Sequence, residues 1–216
     1  MKTLQEYLEK GVAELGIIIS TQQLESFMIY ADELCKWNRK INLTSITLPE
    51  EIAVKHFIDS LILLKYVDIT GELLDIGSGG GFPGIPIKIM SPETSVVSVD
   101  AVEKKINFQR HIARTLALVG FTALHSRVEN LFPKYENFFN CIVSRAFADI
   151  PDFVKHALPL LAEKGFIVAM KGRDGKREAA TAIDELKKMG AVVFLVHEFE
   201  LPILKDLRSL IFIRRG

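Results

Sequence analysis

Leu74-Asp75-Ile76-Gly77-Ser78-Gly79-Gly80-Gly81-Phe82-Pro83-Gly84 is the stretch that decides how this chain folds. It continues a short apolar run over residues 72–76 and leads into a helical pattern over residues 85–90. A strand that ends in glycines and passes at once into a helix describes the first turn of an open α/β sheet. Glycine lets the backbone bend sharply there and leaves room for a ligand to lie against it. In such a sheet the turn sits at the carboxyl end of the first strand, near the point where the strand order reverses.

Working outward from the turn, apolar runs recur at residues 95–99, 122–125, 140–144, 165–170, 191–197 and 207–214. Helical patterns fall between most of them, at 104–118, 152–161 and 176–189. Several of the runs are almost wholly apolar, as strands covered on both faces require. The alternation predicts right-handed crossovers and a doubly wound, Rossmann-like α/β sheet, mostly parallel. Only a loop (198–206) joins the last two runs, so the final strand is expected to be antiparallel.

Upstream of residue 67 the pattern is helical. Ser20-Thr21-Gln22-Gln23 reads as a capping box, and Leu24, Phe27, Met28, Ala31, Leu34 and Cys35 follow at helical spacing. Thr47-Leu48-Pro49-Glu50-Glu51 is a second helix start, with proline and two acids suited to a first turn. Residues 1–66 are therefore expected to form a helical extension packed on a sheet domain of residues 67–216.

Composition narrows the function less. Lys plus Arg and Asp plus Glu both total 27, so the formal net charge is zero. Phosphate affinity depends on concentrated positive charge, so any nucleic-acid contact must come from a local basic patch. Cys35 and Cys141 lie far apart without metal-ligand or disulfide spacing, which fits a reducing, cytoplasmic setting. No apolar run approaches the roughly 20 residues that span a bilayer.

Two ligands compete for the glycine turn. A dinucleotide fingerprint, G-x-G-x-x-G, fails from Gly77 because its third glycine position is Phe82. Counted from Gly79 it fits Gly79, Gly81 and Gly84, but Pro83 removes an amide donor that a pyrophosphate needs. Asp75 is a poor neighbour for a pyrophosphate and suits a ligand carrying an ammonium and a sulfonium, as S-adenosylmethionine does. Asp100 ends the second strand and is placed to accept hydrogen bonds from two ribose hydroxyls. The methyl donor is the leading reading, with a dinucleotide or a purely structural turn as alternatives.

Further positions have both functional and structural readings. Arg145 follows the fourth strand and either meets ligand at the site mouth or pairs with a nearby carboxylate. Ser126-Arg127-Val128-Glu129 follows the third strand, where Val128 can pack on an adenine; an ordinary surface turn is the alternative. Ser144-Arg145-Ala146-Phe147 does not resemble the Asn/Asp-Pro-Pro-aromatic tetrad of adenine amino-methyltransferases. Cys141 lies inside an apolar strand and reads as buried rather than nucleophilic. His56 and Asp59, three apart, are expected to hydrogen-bond to each other and fix the extension; no metal ligands are assigned. Lys171, Arg173, Lys176 and Arg177 are the first candidates for RNA contact, ahead of the groups around Lys205 and Trp37, although solvated faces explain most such runs.

With these residues in place the chain resembles the GidB/RsmG family, the glucose-inhibited division protein B family of ribosomal RNA guanine-N7 methyltransferases. The resemblance runs over nearly the full length. It includes Trp37 to Thr44, His56 to Leu61, Asp75 to Pro86, Ser126 to Glu129, Ser144 to Phe147 and Met170-Lys171-Gly172. The glycine turn followed by Phe-Pro-Gly-Ile-Pro is far more specific than a lone glycine motif. Lys55 stands where the family usually has arginine.

The resemblance implies S-adenosylmethionine as cofactor and methylation at N7 of one guanine in 16S ribosomal RNA. It implies cofactor contacts at Gly77, Phe82, Asp100, Ala101, Val102, Val128, Glu129 and Arg145, beside the turn residues Asp75 and Gly79. Guanine N7 offers an in-plane lone pair and needs no deprotonation, so no general base or other catalytic residue is named. Orientation of donor and acceptor, worth on the order of 7–11 kcal/mol, carries the rate. A monomer acting on RNA, without membrane attachment, is expected. The competing readings are a small-molecule methyltransferase of the same fold, a nicotinamide-dependent oxidoreductase and a non-catalytic RNA-binding module.

Overall fold

The computed structural model describes residues 3–145, 147 and 149–216. Ala146, within the Ser144 to Phe147 stretch read from sequence, lies outside the described residues, as do Met1, Lys2 and Ala148.

The chain opens with α1 (Leu4–Leu15) and α2 (Thr21–Ile41). Both begin with a capping box, in which a side-chain oxygen and a backbone N–H satisfy each other's partners. The box expected at Ser20 is present, with Gln23 N–H on Ser20 Oγ at 3.2 Å and Ser20 N–H on Gln23 Oε1 at 2.9 Å. The amide nitrogen of Gln23 also donates to the carbonyls of Ile89 and Met90, at 3.4 and 3.3 Å.

The helix start at Pro49 is also present, but the helical path beyond it is irregular. A short α3 (Pro49–Glu51) passes into a π-helical segment (Ile52–Ile58), then α4 (Asp59–Leu61) and a 3-10 turn (Ile62–Lys65). The segment buries Ile52, Ala53, Val54, His56, Phe57 and Ile58, a density that a regular amphipathic helix does not give.

Seven strands then form one sheet: β1 (Glu72–Ile76), β2 (Ser95–Asp100), β3 (Phe121–His125), β4 (Phe139–Ser144), β5 (Leu161–Lys171), β6 (Ala191–Glu200) and β7 (Leu207–Arg215). Their order is β3-β2-β1-β4-β5-β7-β6. Leu74 lies opposite Val97 of β2 on one side and Ile142 of β4 on the other, both parallel. The chain therefore runs outward from β1 to β3 and returns to lay β4 on the far side of β1. A crevice opens at the carboxyl ends of β1 and β4 for that reason. The last strand, β7, is antiparallel as expected, and it inserts between β5 and β6. That insertion carries the start of β7 to the same end of the sheet as the finish of β5, with Lys171 opposite Ser209.

Between the strands lie α5 (Gly84–Met90), α6 (Glu103–Thr115), α7 (Ile150–Ala157) and α8 (Gly175–Lys188). Successive strand residues face opposite sides. Leu73 joins the core shared with α2 and α6, and Leu74 the core shared with α7 and α8. Sequence periodicity places the α7 helix at 152–161. Asp149 instead caps it, accepting from Asp152 N–H at 2.8 Å, and it ends before Pro159, whose ring cannot continue a helix.

Candidate active site

The glycine turn is shaped by three residues at positive φ: Gly77 (69°), Gly79 (58°) and Gly81 (99°). L-residues avoid that region, so the turn needs glycine on conformational grounds. A Cβ on Gly79 would meet nothing within 4 Å, so the turn leaves open space on that side. The rest of the turn is tightly held. Gly77 N–H donates to Val99 O at 2.9 Å. Gln109, fully buried on α6, donates to Ser78 Oγ and Gly79 O, each at 2.8 Å, and accepts from Ser98 Oγ at 2.6 Å. The hydroxyl of Tyr30 on α2 donates to Gly80 O at 2.5 Å. Sequence reasoning missed Tyr30 and Gln109, because no local pattern links them to a turn 50 residues ahead or about 30 residues behind.

Asp100 ends β2 and faces the turn. Its Oδ2 accepts Gly79 N–H and its Oδ1 accepts Val102 N–H, both at 2.9 Å. A carboxylate oxygen has two lone-pair sites, so each retains capacity for a ligand hydroxyl. A cleft of about 340 Å³ opens beside it and brings together Gly77, Asp100, Ala101, Val128 and Glu129. Phe147, Asp152 and His156, not anticipated from sequence, complete the wall. His156 Nε2 stands 3.5 Å from Asp152 Oδ1 and 3.9 Å from Glu129 Oε1. His125 Nε2 sits 3.1 Å from Ala101 O and ties the end of β3 to the turn after β2. Val102 contributes its N–H to Asp100 and points outward, 37% exposed.

Asp75, Phe82 and Arg145 stand elsewhere. Asp75 lies beneath the turn, fully buried, where its Oδ2 accepts Gly84 N–H at 2.8 Å and its Oδ1 has no partner. Burial pushes this carboxyl up to about 7, helped by nearby Asp100 and opposed by the Gly84 N–H and Arg145. A Cβ on Gly84 would sit 2.9 Å from Asp75 Oδ2, which accounts for glycine at that position. The Phe82 ring, 4% exposed, stacks on His56 at 4.3 Å and on Tyr30 at 5.3 Å. Arg145 lies with its guanidinium 5.2 Å from the Phe82 centroid and its Nη1 on Asp59 Oδ2 at 3.0 Å and Lys55 O at 3.1 Å.

The family model for GidB, rRNA small subunit methyltransferase G, matches residues 23–206. The chain belongs to this family. It is 56% identical over its whole length to the ribosomal RNA small subunit methyltransferase G of Geobacter sp. (strain M21), covering all of that protein as well. It is 55% identical to the protein of the same name from Geobacter sulfurreducens, over 94% of each chain. Among solved structures it resembles a SAM-dependent methyltransferase from Aquifex aeolicus, with a TM-score of 0.61 at 16% identity over 80% of this chain and 96% of that one. A likeness at that identity speaks to the fold alone.

In this GidB-family chain a second cavity, about 320 Å³, adjoins the first across the end of β4. Arg145 lines the second cavity, while Phe147, two residues on, lines the first. The His56–Asp59 hydrogen bond expected from sequence is replaced by other pairings. The ring Nε2 of His56 lies 2.9 Å from Thr44 Oγ1, and Asp59 meets Arg145 and, at 3.3 Å, Nε of Arg208. The wide turns of the π-helical segment take residues three apart out of the alignment a regular helix gives. Asp59 still fixes the helical lead to the sheet, through arginines on other elements.

The first basic group divides. Lys171 is largely buried, its Nζ donating to Phe147 O at 3.0 Å and standing 2.8 Å from Glu178 Oε1. Lys176 pairs with Glu198 at 2.7 Å and Arg177 with Asp174 at 3.1 Å, both at the surface. Arg173 is exposed and makes no ion pair among the described residues. Cys141 is 1% exposed and burial raises its thiol pKa, so it stays a packed thiol as expected. No helix among the described residues is long and apolar enough to cross a membrane.

Proposed function

We propose that this protein transfers the methyl group of S-adenosylmethionine to N7 of a guanine in bacterial small-subunit (16S) ribosomal RNA. Membership of a ribosomal RNA methyltransferase family supports the substrate class. The observation that carries the cofactor is the pairing of an open glycine turn with Asp100 at the neighbouring strand end. The cleft fits that cofactor. Asp100 has lone pairs left for ribose hydroxyls, and Val128 supplies an apolar wall for a base. Asp100, Glu129 and Asp152 face the same space against one guanidinium, Arg127, and the excess of carboxylates suits a cationic ligand over a pyrophosphate. The candidate contacts are Asp100, Ala101, Val102, Val128 and Glu129, with Gly77 and Gly79 giving room. Asp75, Phe82 and Arg145 complete the set from beneath the turn and beside it.

When bound, S-adenosylmethionine supplies an activated methyl group, and the chain's own residues orient and exclude. Guanine N7 attacks with its own lone pair, so no residue needs to take a proton first. In this reading residues 1–66 form an extension that braces the sheet domain of residues 67–216. Tyr30 on Gly80 and Asp59 on Arg145 are the braces. Arg173 is the leading candidate for RNA contact. A small-molecule methyltransferase of the same fold draws its support from the ion-paired state of Lys171, Lys176 and Arg177.

The test is methyl transfer to ribosomal RNA from cells lacking this protein, with mapping of the modified base. Label at N7 of one 16S guanine supports the reading. Label entering only metabolite pools transfers it to the small-molecule alternative.

A further inference from the structure

The second cavity is built where the helical lead meets the ends of several strands. Lys55, His56 and Asp59 come from the helical lead, Arg145 from the exit of β4, and Arg208 from the start of β7. It opens at the end of the sheet where an open α/β fold binds its ligands. Its volume of about 320 Å³ lies at the small end of ligand sites. Three features describe its chemistry. Ile46, Met170, Phe199 and Leu210 give it an apolar wall. Asp59 faces two guanidiniums at once, Arg145 at 3.0 Å and Arg208 at 3.3 Å, and Arg208 also meets Asp206 at 3.5 Å, so the wall beside Lys55 offers guanidinium donors whose charge nearby carboxylates balance. Lys55 itself meets Glu51 at 2.6 Å, half-exposed, a contact that a phosphate can share. His56 Nδ1 is buried without a partner, in a residue only 7% exposed.

Thr44 Oγ1 accepts Ile46 N–H at 3.0 Å and keeps both its own hydrogen and a second lone pair for His56 Nε2 at 2.9 Å. With the Thr44 hydroxyl as donor, the ring proton sits on Nδ1 as an unpaired donor; the other tautomer would make Nδ1 an acceptor. Burial, with Arg145 nearby, holds the imidazole pKa down to about 3, so the ring is neutral near pH 7. An unsatisfied buried donor is costly unless a ligand acceptor completes it.

Apolar walls, a neutral donor and a rim of guanidinium and ammonium donors together describe a pocket for one nucleotide whose base edge carries an acceptor. We propose that this pocket takes the guanosine nucleotide to be methylated, extruded from its strand, with its phosphate on Arg208 and Lys55 and its O6 on His56 Nδ1. Asp59 is the positioning residue that sets Arg208 and Arg145 across the pocket. Guanine offers O6 and N7 as adjacent acceptors, whereas adenine puts an N6 donor where O6 would be. The His56 donor therefore selects guanine and leaves N7 free of any proton. This inference rests on the guanine-N7 reading and adds the binding place and state of the base.

The experiment uses the full chain saturated with S-adenosylhomocysteine and ligand-observed NMR titration of four probes: GMP, IMP, AMP and guanosine. GMP and IMP, which share O6 and N7, are expected to bind alike. AMP and guanosine are each expected to bind about tenfold or more weakly, for want of the base acceptor and of the phosphate. Arg208→Gln should erase the preference of GMP over guanosine while S-adenosylhomocysteine titrates as in the parent protein. Where Arg208→Gln does not fold, Lys55→Met reads the phosphate contact in its place. The inference is overturned if AMP binds as well as GMP, if the phosphate preference survives in Arg208→Gln, or if S-adenosylhomocysteine and GMP displace each other. Binding is read here without turnover, so a chain that holds GMP as described but leaves ribosomal RNA unmethylated would break the functional reading alone.

Discussion

The two cavities on either side of the end of β4 are made in different ways. The cleft beside Gly77 rests on one turn, two strand ends and the backbone between them, and its anchoring carboxylate is held by two N–H groups from residues 79 and 102. The pocket beside Arg145 is assembled from side chains 46 to 210 in the sequence, and its shape depends on Asp59 gripping two arginines. A site made from backbone is fixed by local conformation and tolerates few changes at its glycines. A site made from distant side chains is fixed by tertiary packing and is adjustable one residue at a time. Damage on the cleft side should therefore be abrupt and specific to the methyl donor, and damage on the pocket side graded and specific to RNA.

The sharpest way to break that contrast is Gly77→Val. A branched residue at φ 69° costs about 1–2 kcal/mol or more in backbone strain and fills the space beside the turn. Methyl transfer is expected to fall by more than about 100-fold with cofactor titration lost, as calorimetry would show. Asp100→Ala is next. Removing a carboxylate that meets two N–H groups and that we propose meets the ribose should weaken S-adenosylmethionine binding by about 10- to 100-fold, with RNA affinity unchanged. Equal weakening of both ligands would merge the two cavities into one site.

Asp75 gives a pH test. Its carboxyl titrates near 7 in the fold and at its ordinary 3.8 when unfolded, so the folded state holds the extra proton between those values. Stability contributed by that proton is full below about pH 4 and is lost as pH rises through 7. His56 has the opposite slope, because its neutral ring must gain a proton on unfolding below pH 6.5. Asp75→Asn removes the first slope, so its stability relative to the parent should rise with pH between 4 and 7, by up to about 1.4 kcal/mol per unit. Denaturant unfolding over a pH series measures it, and a flat difference would mean that Asp75 is ionised throughout.

Smaller effects sharpen the comparison further. Tyr30→Phe removes the hydrogen bond to Gly80 and should cost about 1 kcal/mol of stability together with a few-fold loss of cofactor affinity. Arg173→Glu is expected to weaken RNA binding by a few-fold and lower its salt dependence, while cofactor titration stays as in the parent.

The same contrast explains what could be read from the residues alone. The sheet, the Ser20 capping box and the turn from Asp75 to Gly84 are local in sequence, and periodicity, caps and glycines reveal them directly. The insertion of β7 and the π-helical turns around His56 depend on what packs beside them, and no spacing announces either. Arg145 is the instructive case. Its position after a buried strand implies a partner, and both a ligand and a carboxylate are open on sequence alone. The carboxylate is Asp59, 86 residues earlier, brought within 3.0 Å by the fold. Gln109 and Tyr30 are silent for the same reason, since a buried amide or phenol carries no signal until its distant carbonyl is known.

The amide of Gln23 has a consequence of its own. One end closes the first turn of α2 and the other meets the last carbonyls of α5, the helix that the glycine turn launches. Fraying at the head of α2 would therefore loosen the tail of α5, and the loop between Ile76 and Gly84 would lose support at its far side. Trimming the leading helices to obtain a minimal catalyst would accordingly cut into the proposed donor pocket, though none of the removed residues is among those that line it.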